Sequence, residues 1–295
     1  MKLFQKSMPY DFNLFLFGDD HEGTILRNDA GWNTLCEMMN SEYEGLSAKR
    51  NWGIHHGDFI EAITVDDYRF DLLTTKEAFV LRQLSESKKN FWPIRRKLIA
   101  ILDGNHPFAL QKFGQITKYF CEEHLKMPEI YGTWSCHITY VNHKDEVMFK
   151  QFATHGNGTI NSYAGDIEQQ LANLKVILKR RLKNKFGDVL LASMGHTHKL
   201  IVCPPLGATE EKQLPFLKGS KGSIETKHTR VEKTDGYIHP DFRWYVNTGS
   251  FLNMYTDKYD VSGYAERANY DPTEQGFCIG IVRGGKLKEV RKIAV

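Results

Sequence analysis

The sequence predicts an α/β protein with a two-sheet β-sandwich core flanked by helices. Three observations lead there. Apolar runs of strand length alternate with amphipathic stretches of helical period up to His198. Further strand-like runs come after it with little helical pattern between them. The last two flank Gly284-Gly285, a pair suited to a tight hairpin.

Each element has a local cause. Leu14-Phe15-Leu16-Phe17 is too short for a helix and stops at Gly18, so it reads as a buried strand. Trp52-Gly53-Ile54 is a second. Thr74-x-x-Glu77 has the form of a capping box opening a helix that holds Ala78, Leu81 and Leu84. Lys97 to Leu102 reads as a strand ending at Asp103-Gly104. Phe113, Ile116 and Phe120 would share one helical face. Val147 to Ala153 is the next strand, ending in Thr154-His155-Gly156. Ile167, Leu171, Leu174, Leu178 and Leu182 step by three or four residues, with Gly187 as the expected stop. Asp188 to Met194 then reads as a strand halted by Gly195. Late strands are expected at Leu200–Cys203, Phe242–Asn247, Phe277–Val282 and Lys286–Ile293. With no repeat and no low-complexity linker, residues 1–295 read as one domain, carrying a polar insertion at about 207–235.

Composition bounds the function. The chain has 295 residues, 41% of them hydrophobic, enough for a sizeable core. Lys and Arg number 39 against 36 Asp and Glu, a formal charge of +3 that argues against a strongly basic nucleic-acid coat. Cys36, Cys121, Cys136, Cys203 and Cys278 are odd in number and scattered, without a C-x-x-C pair. Reduced buried thiols therefore fit better than a disulfide framework or a structural zinc site. No stretch approaches the roughly 20 apolar residues of a membrane span, and the start carries no small-residue cleavage site. A cytoplasmic protein without membrane contact is the expectation.

The strand ends are more informative than the strands. The first strand runs into Asp19-Asp20-His21, the second into His55-His56-Gly57-Asp58, and the third into Gly104-Asn105-His106. The fourth leads to His155-Gly156-Asn157 and the fifth to Gly195-His196-Thr197-His198. Ends of neighbouring strands converge on one edge of such sheets, where ligands usually bind. A single histidine on a strand is more often satisfied structurally than bound to metal. Five clusters of Asp, Asn and His, each at a strand end, are another matter. Imidazoles and carboxylates without thiolates suit borderline-to-hard divalent metals such as Mn, Fe, Zn or Ni.

The ordered set D-x-H, G-D, G-N-H, H and G-H-x-H resembles the calcineurin-like metallophosphoesterase superfamily. The resemblance spans Asp19 to His198, with a weaker echo in Val246-Asn247-Thr248-Gly249-Ser250-Phe251. It implies a four-layer fold and two divalent ions, manganese foremost, with Fe, Zn, Ni and Mg as alternatives. Asp19, His21 and His198 would hold one ion, and Asn105, His155 and His196 the other. Asp58 would bridge them at roughly 3.5–4 Å spacing. Water held by the ions would be the nucleophile in a phosphoester hydrolysis. His106 would protonate the leaving group or stabilise the transition state. His55 and His56 are expected to support the strand or the ligands, Asp20 to face solvent or cap its loop, and Asp103 to serve its turn.

Departures from the family pattern bear on the substrate. Pro107 stands where many members have an acid after G-N-H, and the Arg-containing motif of Ser/Thr protein phosphatases is absent from Pro107-Phe-Ala-Leu-Gln-Lys112. Thr248 replaces a common proline, a minor change. The insertion carries Lys212, Lys218, Lys221, Lys227, Arg230 and Lys233 against Glu225 and Glu232. A late loop adds Tyr255, Tyr264, Arg267 and Tyr270. Bases with aromatics suit a nucleic-acid strand, although charged insertions are usually solvated faces. The favoured expectation is a phosphodiesterase acting on nucleic acid or nucleotides. A phosphomonoesterase acting on a small molecule or phosphoprotein is the alternative. A non-catalytic scaffold is the third reading, disfavoured by the complete ligand set. The sequence names no substrate-binding residue.

Overall fold

A computed structural model describes residues 1–206, 214–218, 223–227, 236–256 and 260–295, the backbone alone at 214–218, 223–227 and Tyr264. In chain order the elements are β1 (Lys2–Ser7), β2 (Phe12–Phe17), α1 (Asp29–Asn40), β3 (Asn51–His55), α2 (Val80–Phe91) and β4 (Leu98–Ile101). Next come α3 (Asn105–Ala109), α4 (Ile116–Tyr119), β5 (Ser135–Val141), β6 (Val147–Thr154), α5 (Ile167–Leu182), β7 (Leu191–Met194) and β8 (Leu200–Cys203). The rest are β9 (Leu214–Lys218), β10 (Ser223–Lys227), β11 (Trp244–Thr248), α6 (Tyr264–Arg267), β12 (Gly276–Arg283) and β13 (Lys286–Ala294).

Two sheets carry the molecule. One has the order β1-β5-β6-β7-β11-β8 and the other β13-β12-β2-β3-β4. Among the described residues β9 and β10 form a separate antiparallel pair. Side chains alternate across a strand, and β2 shows the result. Its Leu14 and Leu16 join an apolar cluster with Ile138, Tyr140, Leu191 and Val246 of the first sheet. Its Phe15 and Phe17 join Trp32 and Leu35 of α1 and Leu84 and Phe91 of α2 on the opposite face. All six β2 residues are buried, as a strand covered on both faces requires. The other sheet is covered in the same way, by Leu178 and Leu182 of α5 against Ala192 and Tyr245.

Strand positions agree with the sequence reading to within three residues, and Gly284 and Gly285 take φ of 58° and 72° in the hairpin between β12 and β13. Other expectations need correction. Thr74 does not cap α2, which starts at Val80 behind Phe79 with no side-chain cap. Asp71 captures this region instead: its carbonyl accepts from the Thr74 and Thr75 hydroxyls, and its carboxylate accepts from Leu73 N. Such local bonds compete with a helix start. Leu81, inside α2, is exposed. Phe113 and Phe120 do not share a face either. Gly114, at φ 133°, breaks the chain between a 3₁₀ turn at Gln111–Phe113 and α4, so Phe113 is exposed and Phe120 buried. α5 has the expected bounds and is capped by the Asp166 carboxylate, which accepts from Gln169 N at 2.8 Å. It buries Leu178 and Leu182 but exposes Ile167 and Leu171. It ends before Gly187, whose carbonyl is held by the buried Arg243.

The residues at Lys212, Lys221, Arg230 and Lys233 lie outside the described residues, and so do the side chains of Lys218, Lys227 and Tyr264. Among the described residues no helix is long and apolar enough to cross a membrane.

Candidate metal centre

The five motifs leave the ends of two adjacent sets of strands. β2, β3 and β4 are neighbours in one sheet, and β6 and β7 are neighbours in the other. Backbone bonds carry the pairing beyond the strands: Asp19 N donates to Gly57 O at 2.9 Å, His21 N to Asp58 O at 3.0 Å, and Gly195 N to His155 O at 3.1 Å. All seven residues expected to hold metal thereby meet.

They meet as two groups. Asp19, His21 and His198 bring one ligand atom each within 4.8 Å of one another, and so do Asp58, His155 and His196. In the first group His21 Nε2 faces His198 Nε2 at 3.3 Å, and Asp19 Oδ1 lies 3.6 Å from the latter. In the second, Asn105 Oδ1 lies 2.9 Å from His155 Nε2 and 2.7 Å from His196 Nδ1, and Asp58 Oδ2 lies 3.3 Å from His155 Nε2. Asp58 and Asp19 are both among the charges that raise His21 and His155.

The backbone is bent to achieve this. Among the described residues eleven other than glycine have positive φ, and five are Asp19, His21, Asp58, His196 and His198, at 49–69°. Such conformations cost free energy and persist where surrounding structure enforces them, commonly at functional sites. Two glycines make the room: a Cβ on Gly104 would stand 1.9 Å from Asp58 Oδ1, and one on Gly195 2.7 Å from Asp19 Oδ2.

A ring of partners fixes the ligands. His155 Nδ1 donates to His56 O at 2.7 Å, and His21 Nδ1 meets Glu61 Oε2 at 2.8 Å, so each ring turns Nε2 inward. Asp19 Oδ2 accepts from His196 N at 2.9 Å, and Asp58 Oδ1 accepts from His106 N at 2.9 Å. His106 lines the cavity above the cluster and is held through Nδ1 by the Glu61 carbonyl. Sequence reasoning missed Glu61, although Asp58-x-x-Glu61 places it one turn of chain from a ligand. Asp20 corrects its expectation: it is fully buried, and His55 Nε2 lies 2.8 Å from its Oδ1. His55 and His56 behave as supports, and Asp103 Oδ2 accepts from the Tyr131 hydroxyl at 2.8 Å.

The electrostatics show a demand for positive charge. Burial alone would lower the His21 imidazole, but the Glu61 bond and charge, with Asp58 and Asp19 behind it, raise it to about 9. Burial likewise opposes charge on His155, yet Asp58 and Asp19 raise it to about 9. Desolvation works against ionised Asp58, and His155, His106 and His21 overcome it, holding its carboxyl well below the usual range. Burial dominates at His106, which is lowered, and at His196, lowered to about 4. Asp19 Oδ1 is buried with no hydrogen-bond partner. A buried, unpartnered carboxylate oxygen facing imidazole nitrogens is a donor set that divalent cations fit.

The chain matches no family model and no curated protein. Among solved structures it is similar to a conserved uncharacterized protein from Streptococcus pneumoniae TIGR4, described as a predicted phosphoesterase. Identity is 10%, 97% of this chain and 98% of that one are covered, and the TM-score is 0.27.

Proposed function

We propose that this protein is a metal-dependent phosphoester hydrolase of the four-layer metallophosphoesterase type, with two divalent ions, manganese foremost, held by the seven strand-end residues. The observation that supports it best is the pair of ligand groups, Asp19 with His21 and His198, and Asp58 with His155 and His196, with Asp19 Oδ1 buried without a hydrogen-bond partner. Asp19, His21 and His198 would hold one ion, Asn105, His155 and His196 the other, and Asp58 would serve both. The ions would supply positive charge to the phosphoryl oxygens and ease deprotonation of an attacking water.

The chain's own residues do the rest. His106 lines the cavity with its Nδ1 fixed by Glu61, leaving Nε2 to hold or deliver a proton at the leaving oxygen. Glu61 aligns two rings at once, with its carboxylate on His21 and its carbonyl on His106. Asp58 ties the sides together by accepting from His106 N.

The test is hydrolysis of bis-p-nitrophenyl phosphate and p-nitrophenyl phosphate with manganese added. Turnover that disappears with a chelator and returns with manganese is expected. Absence of turnover on both, in protein shown to be folded and loaded with metal, would favour the scaffold reading.

A further inference from the structure

The cavity above the cluster limits what it can accept. It holds about 350 Å³, the scale of a small-molecule site. One side is knitted shut by hydrogen bonds. Ile25 N and the Thr24 hydroxyl donate to Thr74 O at 3.0 and 2.9 Å, and Asn253 N and Nδ2 donate to Leu26 O at 2.7 and 2.9 Å. Arg267 then bridges to Asp71, joining the segment around residue 267 to that around residue 71.

Its chemistry points the same way. Among the described residues lining the cavity, both arginines are already paired, Arg69 with Asp67 at 2.7 and 3.0 Å and Arg267 with Asp71. A polyanion needs cations for each phosphate it lays down, and these are neutralised. Away from the metal ligands the lining is mixed, and its apolar and aromatic part is Leu26, Ile63, Leu252, Met254, Tyr68 and Tyr270, set among threonines and Asn253. Tyr68 is 94% exposed and stands at the cavity, with Arg69 5.9 Å from its ring.

We propose that the substrate is a small phosphate ester carrying one apolar, ring-sized group, and that Tyr68 and Met254 set this preference. The proposal rests on the phosphoester reading for the phosphate end and goes beyond it for the organic end. It also turns away from the nucleic-acid expectation, whose basic residues lie largely outside the described ones.

Calorimetric binding of two non-hydrolysable phosphonates to the full chain, with manganese present, separates the two levels. Phenylphosphonate should bind at least about tenfold more tightly than methylphosphonate, the gain expected from burying one ring face. Tyr68→Ala with Met254→Ala should erase that advantage while leaving manganese and methylphosphonate affinity unchanged. Equal affinity for the two phosphonates in wild type would overturn the proposal. A single-stranded oligonucleotide that displaces phenylphosphonate at lower concentration would overturn it too. Failure of both phosphonates to bind manganese-loaded protein would sink the phosphoester reading itself, and this proposal with it.

Discussion

Two buried polar regions lie within a few residues of each other and are finished in opposite ways. Between the sheets, the Tyr140 hydroxyl donates to Gln151 Oε1 at 2.7 Å, and Gln151 Nε2 donates to Ser193 Oγ at 2.9 Å. Ser193 reaches His56 Nε2 at 2.8 Å, and His56 Nδ1 donates to Phe17 O at 3.3 Å. All four side chains are fully buried, and each donor meets an acceptor. Burial holds His56 down at about 3, so it stays neutral. At the strand ends, the same kinds of groups converge with an excess of negative charge, an orphaned Asp19 oxygen and left-handed backbone. One region is closed upon itself and specifies how the sheets pack. The other is a set of groups that could hold a metal ion. A polar group in a core is therefore read as structural or functional by whether its bonds are satisfied.

The sharpest way to break this contrast is Asp58→Asn. It removes the charge acting on both groups, so manganese content should fall further than for any other single ligand change. Turnover should drop by more than about 10³-fold, beyond the usual contribution of one acid–base group. His106→Asn should reduce turnover by about 10²–10⁴-fold and keep the metal, with the largest loss on esters of poor leaving groups. Wild-type rates on an alkyl ester would make His106 structural. Glu61→Ala is expected to weaken metal affinity or activity by about 10–100-fold, because His21 loses the carboxylate that orients it. Unchanged manganese titration and unchanged rates would remove Glu61 from the account.

Ser193→Ala tests the other region. It leaves Gln151 Nε2 and His56 Nε2 without partners, which should cost about 2–4 kcal/mol in urea unfolding. Metal content should survive. Loss of metal at unchanged stability would show that the two regions are not separate in function.

The sequence disclosed the second region far better than the first. Asp19, His21, Asp58, Asn105, His155, His196 and His198 stand out because each comes just after an apolar run, and chemistry at strand ends leaves a local signature. Tyr140, Gln151 and Ser193 leave none, since their meaning lies in contacts between strands far apart in the chain. The same reason hid β1 and β5, whose parallel pairing joins Lys2 to Cys136, and Asp20, whose burial depends on His55. α1 is absent from the sequence reading although its buried Trp32, Leu35 and Met39 step by three and four residues, the helical spacing. Where an expectation failed, at Thr74 and Phe113, a nearby Asp71 or Gly114 redirected the backbone.

The central claim, that the strand-end cluster is completed by two divalent ions sharing Asp58, is tested most directly by manganese stoichiometry under equilibrium dialysis. Wild type should bind about two ions per chain at micromolar free manganese, His21→Ala about one, and Asp58→Asn fewer than either. Wild-type protein that is folded and binds no manganese, iron or zinc at that concentration would contradict the claim.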